Sequence, residues 1–280
     1  MGTPKSDGSV RFLYGTALGR GLLQLIRGLH ADRLVVRYLC SRWSRPYIRR
    51  FAQKNDIPLT EEELAAFRSY REFFLRERAP VPMDTVPGHL ISPCDGFLSA
   101  FPIHKDSSFA LKGSHYRLQD LLTDEALASR YAGGLCLIFR LCASDYHHYC
   151  YIDDGRQGPN HFIEGQLHSV QPIACERYPV FTLNRRSWCL LDTEHFGPVV
   201  QTEIGALIVG GIVNLREGGS FRRGEEKGRF DLAGSTIVLL LEPGRAALLP
   251  ELQGRLQTEP EVPVHQGMWI GVGLQGAAEA

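Results

Sequence analysis

The chain has 280 residues, 44% of them apolar and 22% charged, so it can bury a sizeable core and is neither disordered nor fibrous. Its 31 basic and 31 acidic residues cancel, but the first 54 residues hold eleven Lys or Arg against Asp7 and Asp32, a local balance of +9 that suits an anionic surface. No uninterrupted apolar run reaches the length of a membrane span, and 29 glycines and 16 prolines without a period point to a turn-rich β body.

From Phe12 to Phe51 the apolar residues Leu13, Ala17, Leu18, Leu22, Leu25, Ile26 and Leu29, then Leu34, Val35, Tyr38 and Leu39, recur near helical spacing with arginines between them. They predict two or three short amphipathic helices. Burial against the protein's own core is one use of such helices, and lying on an anionic membrane surface is the use that the +9 block favours. No nucleic-acid recognition motif accompanies the charge, so no nucleic-acid partner is expected. Thr60 with Glu63 forms a capping box, predicting one helix through "LAAFRSYREFFLRER" that stops before Pro80.

Beyond "VPGHLISPCDG" the pattern changes to short apolar runs set off by Gly, Pro and Asp: "GGLCLIFRL", "GQLHSVQPI", "PVFTLN", "SWCLLD", "PVVQTEIGALIVGGIV", "STIVLLLE" and "GMWIGVGLQG". These predict strands. The expected organisation is α+β: a helical, membrane-associating region over residues 1–84, then a mainly antiparallel β-rich domain over 85–280. Seven scattered cysteines (Cys40, Cys94, Cys136, Cys142, Cys150, Cys175, Cys189), with no CxxC pair, fit a reducing compartment.

The strand "STIVLLLE" has an unusual entry, Gly234-Ser235-Thr236. A serine hydroxyl can attack the carbonyl of the peptide bond before it, and a glycine on the acyl side removes the Cβ that would obstruct the approach. Gly-Ser in a plain turn is the commoner reading of these two residues alone. A wider set of motifs bears on the choice. "FRRGEEKGRFDLAGSTIVLLLEPG" resembles the C-terminal signature of phosphatidylserine decarboxylases. "ISPCDGFLS" is similar to that family's SPADG segment, and "FRLCASDYHHYCYIDDG" to its RLxxxDYHRxHxPxxG segment. "FTLNRRSWCLLDTEHFGPVVQTEIGALIVGGI" is similar to its NER–FG–VGA segment, and "FLYGTALGR" and "SYREFFLRER" to its helical lead-in. The likeness runs in order along nearly the whole chain.

What the resemblance implies is a proenzyme that cleaves itself between Gly234 and Ser235 and converts Ser235 into a pyruvoyl cofactor. Asp95 falls where the family has the acid of its self-cleavage triad, and His147 at the first histidine of DYHRxH, associated with decarboxylation. His148 replaces the family's arginine and Cys150 its second histidine, the one associated with self-cleavage. Three readings follow: His147 serves both steps, which is preferred; His148 swings in; or maturation is slow or lost. A His-His-x-Cys metal site with His161 and His168 is the less favoured use of the cluster, since no ligand pair at zinc spacing accompanies it, and no metal is expected. Gly205, Gly210 and Gly211 read as close-packing positions in a sheet. Glu225 and Glu226 are assigned no chemical role, and Arg185, beside Asn184, is a candidate holder of a lipid phosphate or carboxylate.

The expected activity is decarboxylation of phosphatidylserine to phosphatidylethanolamine at the cytoplasmic face of a membrane, as a peripheral protein whose two cleaved chains stay associated, with a homo-oligomer possible. Another amino-phospholipid or a soluble amino acid as substrate is the enzymatic alternative. A cleavage-deficient, non-enzymatic membrane-surface protein is the alternative from another class.

Overall fold

A computed structural model describes residues 8–28, 32–111, 114–206, 211–232 and 235–274. Leu29, Gly210 and Gly234 fall outside these. Helices come first: α1 (Gly8–Gly15), α2 (Ala17–Gly28), α3 (Asp32–Leu39) and, after a 3-10 turn at Arg42–Ser44, α4 (Arg45–Lys54). Where one helix was expected over "LAAFRSYREFFLRER" there are two, α5 (Glu61–Ala66) and α6 (Tyr70–Phe74). The Thr60 capping box forms as read, with the Glu63 N–H donating to Thr60 Oγ1 at 3.1 Å and the Thr60 N–H to Glu63 Oε2 at 2.7 Å. The break has a cause of the same kind. Phe67 is extended, Ser69 Oγ accepts from the Glu72 N–H at 3.3 Å, and Glu72 accepts from the Arg68 N–H at 2.7 Å, so Ser-x-x-Glu starts a new helix.

The β body opens with β1 (His89–Ile91), β2 (Gly96–Pro102), β3 (Ser108–Leu111) and β4 (Ser114–Arg117). Helices α7 (Leu118–Leu122) and α8 (Glu125–Arg130) lead to β5 (Leu135–Leu141), β6 (His148–Cys150), β7 (Gly155–Gln157) and β8 (His161–Ile163). Then come α9 (Pro172–Cys175), α10 (Val180–Leu183), β9 (Arg186–Thr193), β10 (Gly197–Ile204), β11 (Gly211–Asn214), β12 (Gly219–Phe221) and β13 (Glu226–Asp231). The last elements are β14 (Ser235–Leu241), β15 (Ala246–Leu248), α11 (Pro250–Thr258), β16 (Val262–Val264) and β17 (Trp269–Gly273).

The α+β reading holds, with helices first and a large antiparallel sheet after them. Two apolar runs expected as strands are not strands. "GQLHSVQPI" contributes only a bridge at Gln166 and the start of α9, and "PVFTLN" is the turn of helix α10. A short apolar run has no period to separate strand from buried helical turn, and here Pro172 at the first position of α9 and Pro179 just before α10 tip the choice. The buried Asn184 then fastens this region: its side chain bonds the N–H and C=O of His168 and the C=O of Gly205, all at 2.7–2.8 Å.

The main sheet runs β12-β7-β9-β10-β14-β5-β2-β16, with β8 also on β9, and β14 lies at its centre between β10 and β5. Every residue of β14 is buried, as a strand covered on both faces requires. Val238 and Leu240 face one core with Tyr14 of α1 and Leu118 of α7, while Ile237, Leu239 and Leu241 face a second with Tyr149, Cys150 and Ile270. A smaller sheet, β11-β13-β6, is built on the second side. The helical region is tied to this body rather than appended to it: Arg71 of α6 pairs with Asp231 at 2.6 Å, and Leu232 packs with Ile48, Phe73 and Phe74.

Candidate active site

Strand register assembles the site at one end of the main sheet. Ser235, the first residue of β14, is the Cα partner of Leu141 at the end of β5. Phe97 of β2 pairs with Arg140, which brings Gly96 level with Leu141, and Gly96 in turn pairs with Val264 of β16. A Cβ at Gly96 would stand 2.6 Å from the Arg140 carbonyl oxygen, and its φ is +143°, so only glycine allows this approach. One row across the sheet therefore ends in Ser235, in Asp95 before β2, in Gln266 after β16, and in the turn after β5 that carries Asp145 and His147 and leads into His148 of β6.

Asp95 is half-buried among fixed donors. Both terminal nitrogens of Arg78 donate to its carboxylate, and the Gln266 N–H donates to Asp95 Oδ1 at 2.9 Å. Arg78 also bonds Gln266 Oε1 at 2.9 Å and lies over the Tyr146 ring at 4.1 Å. His265 Nδ1 stands 3.9 Å from Asp95 Oδ1, beyond hydrogen-bond reach.

His147 is fully buried, its ring 4.1 Å from Phe74. Its Nδ1 lies 2.9 Å from the Asp145 carbonyl oxygen, which makes Nδ1 the donor and leaves Nε2, buried without a partner, as the acceptor. Burial pushes its pKa down to about 3. His148 is 3% exposed and stacks on Tyr146 at 4.6 Å. Its Nδ1 faces Glu226 Oε1 at 2.8 Å, and its Nε2 is likewise buried and unpartnered. Burial raises the Asp145 carboxyl to about 6, against the pull of the Cys142 N–H that donates to it at 2.7 Å. The Cys150 thiol, pushed up to about 12 by burial, is protonated at neutral pH and is no substitute for an imidazole.

Ser235 is 1% exposed, and its Oγ has no hydrogen-bond partner; Thr236 Oγ1 beside it has none either. A buried hydroxyl without a partner is costly, and such exceptions cluster where chemistry is done. The acyl-side Gly234 lies outside the described residues.

The strand that leads into this bond is anchored from below. Lys227, at a bulge in β13, is fully buried and donates to Glu203 Oε1 at 2.7 Å and Asn214 Oδ1 at 3.0 Å, with Gln201 Nε2 on the same carboxylate oxygen at 3.0 Å. Among the other residues singled out in the sequence, Arg185 bonds Glu164 at 3.0 Å and lies over Phe162. Gly211 faces Asp231, whose Cβ a methyl would meet at 2.7 Å. His161 stacks on Trp188, and His168 Nε2 bonds Gln166 at 2.8 Å. Among the described residues no group of three or more His, Cys, Asp or Glu is arranged to hold a metal ion. Sequence reasoning missed Arg78 and Gln266 on Asp95, Glu226 on His148, and Phe74 on His147. Their chain separations, such as 78 residues between His148 and Glu226, leave no local signal.

The buried imidazole has a consequence for stability. An unfolded His147 takes its proton near pH 6.5, whereas the folded one resists until about pH 3, so stability is lost as pH falls through that window. Asp145 acts oppositely, since its folded carboxyl holds a proton up to about pH 6 against 3.8 when unfolded. His147→Gln is expected to remove the first contribution and keep the second. Urea midpoints measured across the window should then fall less with acid in the variant than in the parent; equal slopes would refute the assignment.

Comparison with known proteins agrees with the motifs. The phosphatidylserine decarboxylase family profile matches residues 70–270. The chain is 39% identical over 239 residues to phosphatidylserine decarboxylase proenzyme 2 of Clostridium acetobutylicum, covering 84% of this chain and 82% of that protein. It is 34% identical over 275 residues to the proenzyme of Desulfitobacterium hafniense strain DCB-2, covering 95% and 92%. With the proenzyme of Chlamydia muridarum it shares 38% over 245 residues, covering 85% and 81%. By the matched profile and by these full-length relatives, the chain belongs to the phosphatidylserine decarboxylase family.

Proposed function

We propose that the chain is a self-cleaving, pyruvoyl-dependent decarboxylase that converts phosphatidylserine to phosphatidylethanolamine and carbon dioxide. The observation that carries this reading is the buried, unpartnered hydroxyl of Ser235 at the head of the central strand. In cleavage, Ser235 Oγ bonds to the Gly234 carbonyl carbon while the peptide C–N bond breaks, giving an ester. Loss of the Ser235 α-proton and rupture of its Cβ–Oγ bond release Gly234 as a carboxylate. Water then replaces the new terminal nitrogen, which leaves as ammonia. The resulting pyruvoyl group supplies an electron sink for decarboxylation of an amino acid head group.

The surrounding residues fit that group. Burial places position 235 in a low-dielectric setting, where neighbouring polar groups act strongly. Because burial disfavours its charged form, His147 gives up a proton readily, and its unpartnered Nε2 is suited to return one to the α-carbon after carbon dioxide leaves. Asp95, fixed by Arg78 and Gln266, holds the strand ends of β2 and β16 together beside Ser235. Because β14 is paired on both edges, the two chains produced by cleavage stay associated.

A lipid substrate, rather than a free amino acid, is favoured by the N-terminal helices. Among the described residues, nine of the fifteen exposed large apolar side chains lie between Phe12 and Tyr47, including Leu18, Leu22 and Leu25 on α2 and Leu34, Val35 and Tyr38 on α3. Exposed Arg33, Arg37, Arg42, Arg45 and Arg50 are interspersed among them or follow them. No helix among the described residues is long and apolar enough to cross a membrane. Apolar insertion and attraction to anionic headgroups reinforce each other in such a surface, which makes the protein peripheral, on a cytoplasmic face.

Carbon dioxide release from phosphatidylserine vesicles tests the whole reading, with free serine expected to give none. Replacing Leu18, Leu22, Leu25 and Leu34 by Ser is expected to cut binding to anionic vesicles by about 100- to 1,000-fold, since each inserted leucine contributes on the order of 1 kcal/mol and about 1.4 kcal/mol is tenfold. Undiminished sedimentation with vesicles would remove the membrane role, and turnover of free serine would favour the soluble substrate.

A further inference from the structure

Cleavage at Ser235 needs a base, and the position at which the family has its histidine is Cys150, whose buried thiol is protonated. A serving base must be an imidazole with one nitrogen oriented by an acid and the other free to accept a proton. His147 has a free Nε2, but its Nδ1 is held by a backbone carbonyl rather than an acid. His265 is 61% exposed and stands 3.9 Å from an Asp95 already committed to Arg78 and to the Gln266 N–H. His148 meets both conditions. Glu226 accepts from its Nδ1 at 2.8 Å, Tyr146 stacks on its ring, and its Nε2 is buried with no partner.

Position on the strand supports the same choice. His148 and Cys150 are the first and last residues of β6, and the hydroxyl of Tyr149 between them meets Asn214. The imidazole thus lies two residues from position 150 on one short strand. Glu226 begins β13, the strand whose continuation carries Ser235, so the acid and the nucleophile are nine residues apart on one run of chain.

We infer that His148, oriented by Glu226, is the general base of self-cleavage in this chain, in place of the histidine absent at position 150. The inference rests on the self-cleaving reading above and takes the second of the three sequence readings, dividing labour that the preferred one gave to His147 for both steps. The Ser235 hydroxyl proton passes to His148 Nε2 as Oγ bonds to the Gly234 carbonyl carbon. As the C–N bond breaks, the same proton goes to the nitrogen of residue 235. Glu226 is a positioning residue: it keeps Nδ1 protonated and holds the ring.

The test uses the full chain and follows appearance of the two fragments on denaturing gels. His148→Gln is expected to slow cleavage about 100-fold or more, the usual contribution of a general base, and added imidazole to restore a measurable part of it. Glu226→Gln is expected to slow cleavage on its own yet add nothing to His148→Gln, because the two act as a unit. Cleavage of His148→Gln within 3-fold of the parent, a slow variant that imidazole fails to rescue, or additive losses in the double variant would each overturn the dyad. A parent chain that never cleaves defeats the self-cleaving reading itself, and the dyad with it. A parent that cleaves while His148→Gln is indifferent defeats the dyad alone.

Discussion

Ser235→Ala is expected to leave the chain as a single 31.3 kDa polypeptide that releases no carbon dioxide from phosphatidylserine vesicles. The parent should instead give fragments of about 26 and 5 kDa, the shares of 31.3 kDa that fall to residues 1–234 and 235–280. The loss is complete rather than graded, because Ser235 would supply both the attacking oxygen and the carbon atoms of the cofactor. Folding should be spared. The hydroxyl has no partner in the fold, so its removal costs no hydrogen bond and relieves the burial of an unpaired polar group, and the melting temperature should stay equal or rise. Intact-mass spectrometry reports cleavage and the amine-to-carbonyl change together. Decarboxylation by an uncut Ser235→Ala protein would end the pyruvoyl account, and an unfolded variant would mean that the hydroxyl has a structural partner after all.

The largest effect on stability is expected at Lys227. Its amine and the Glu203 carboxylate are both 0% exposed and 2.7 Å apart. Burial opposes the charge on Lys227, but the carboxylate outweighs it and holds the amine above its ordinary pKa. Lys227→Met strands that carboxylate in the core, where Gln201 remains to it, and should cost about 3–5 kcal/mol. Lys227→Met with Glu203→Gln should recover most of the loss, because no uncompensated charge is then buried. Denaturant midpoints decide this, and a double variant no more stable than Lys227→Met would dismiss the ion pair as the cause. Cleavage should slow with Lys227→Met, since Lys227 fastens β13 to β10 just ahead of Ser235. Gly228 completes this anchor. A Cβ there would come within 2.3 Å of the Val213 carbonyl oxygen, so the strands meet closely only around glycine.

Much of this was written in local sequence. The aliphatic run Ile237–Leu241 reads as a strand and is one, buried along its whole length, and Thr60 with Glu63 reads as a helix start and is one. Both signals depend on neighbours within four residues, through side-chain periodicity or through a single turn of backbone hydrogen bonds. The same kind of signal at Ser69 and Glu72, buried inside a longer helical pattern, was passed over, and the helix splits there. The ordered motifs around Asp95, His147 and Ser235 carry the family, because each is contiguous in the chain. Tertiary structure alone decided what surrounds them: that "PVFTLN" turns into helix rather than strand, that Arg78 and Gln266 occupy Asp95, and that Glu226 reaches His148. Those pairings join residues from 17 to 171 positions apart. They are set by the register of whole strands and by which charges burial leaves in need of a partner, quantities that no stretch of sequence contains by itself.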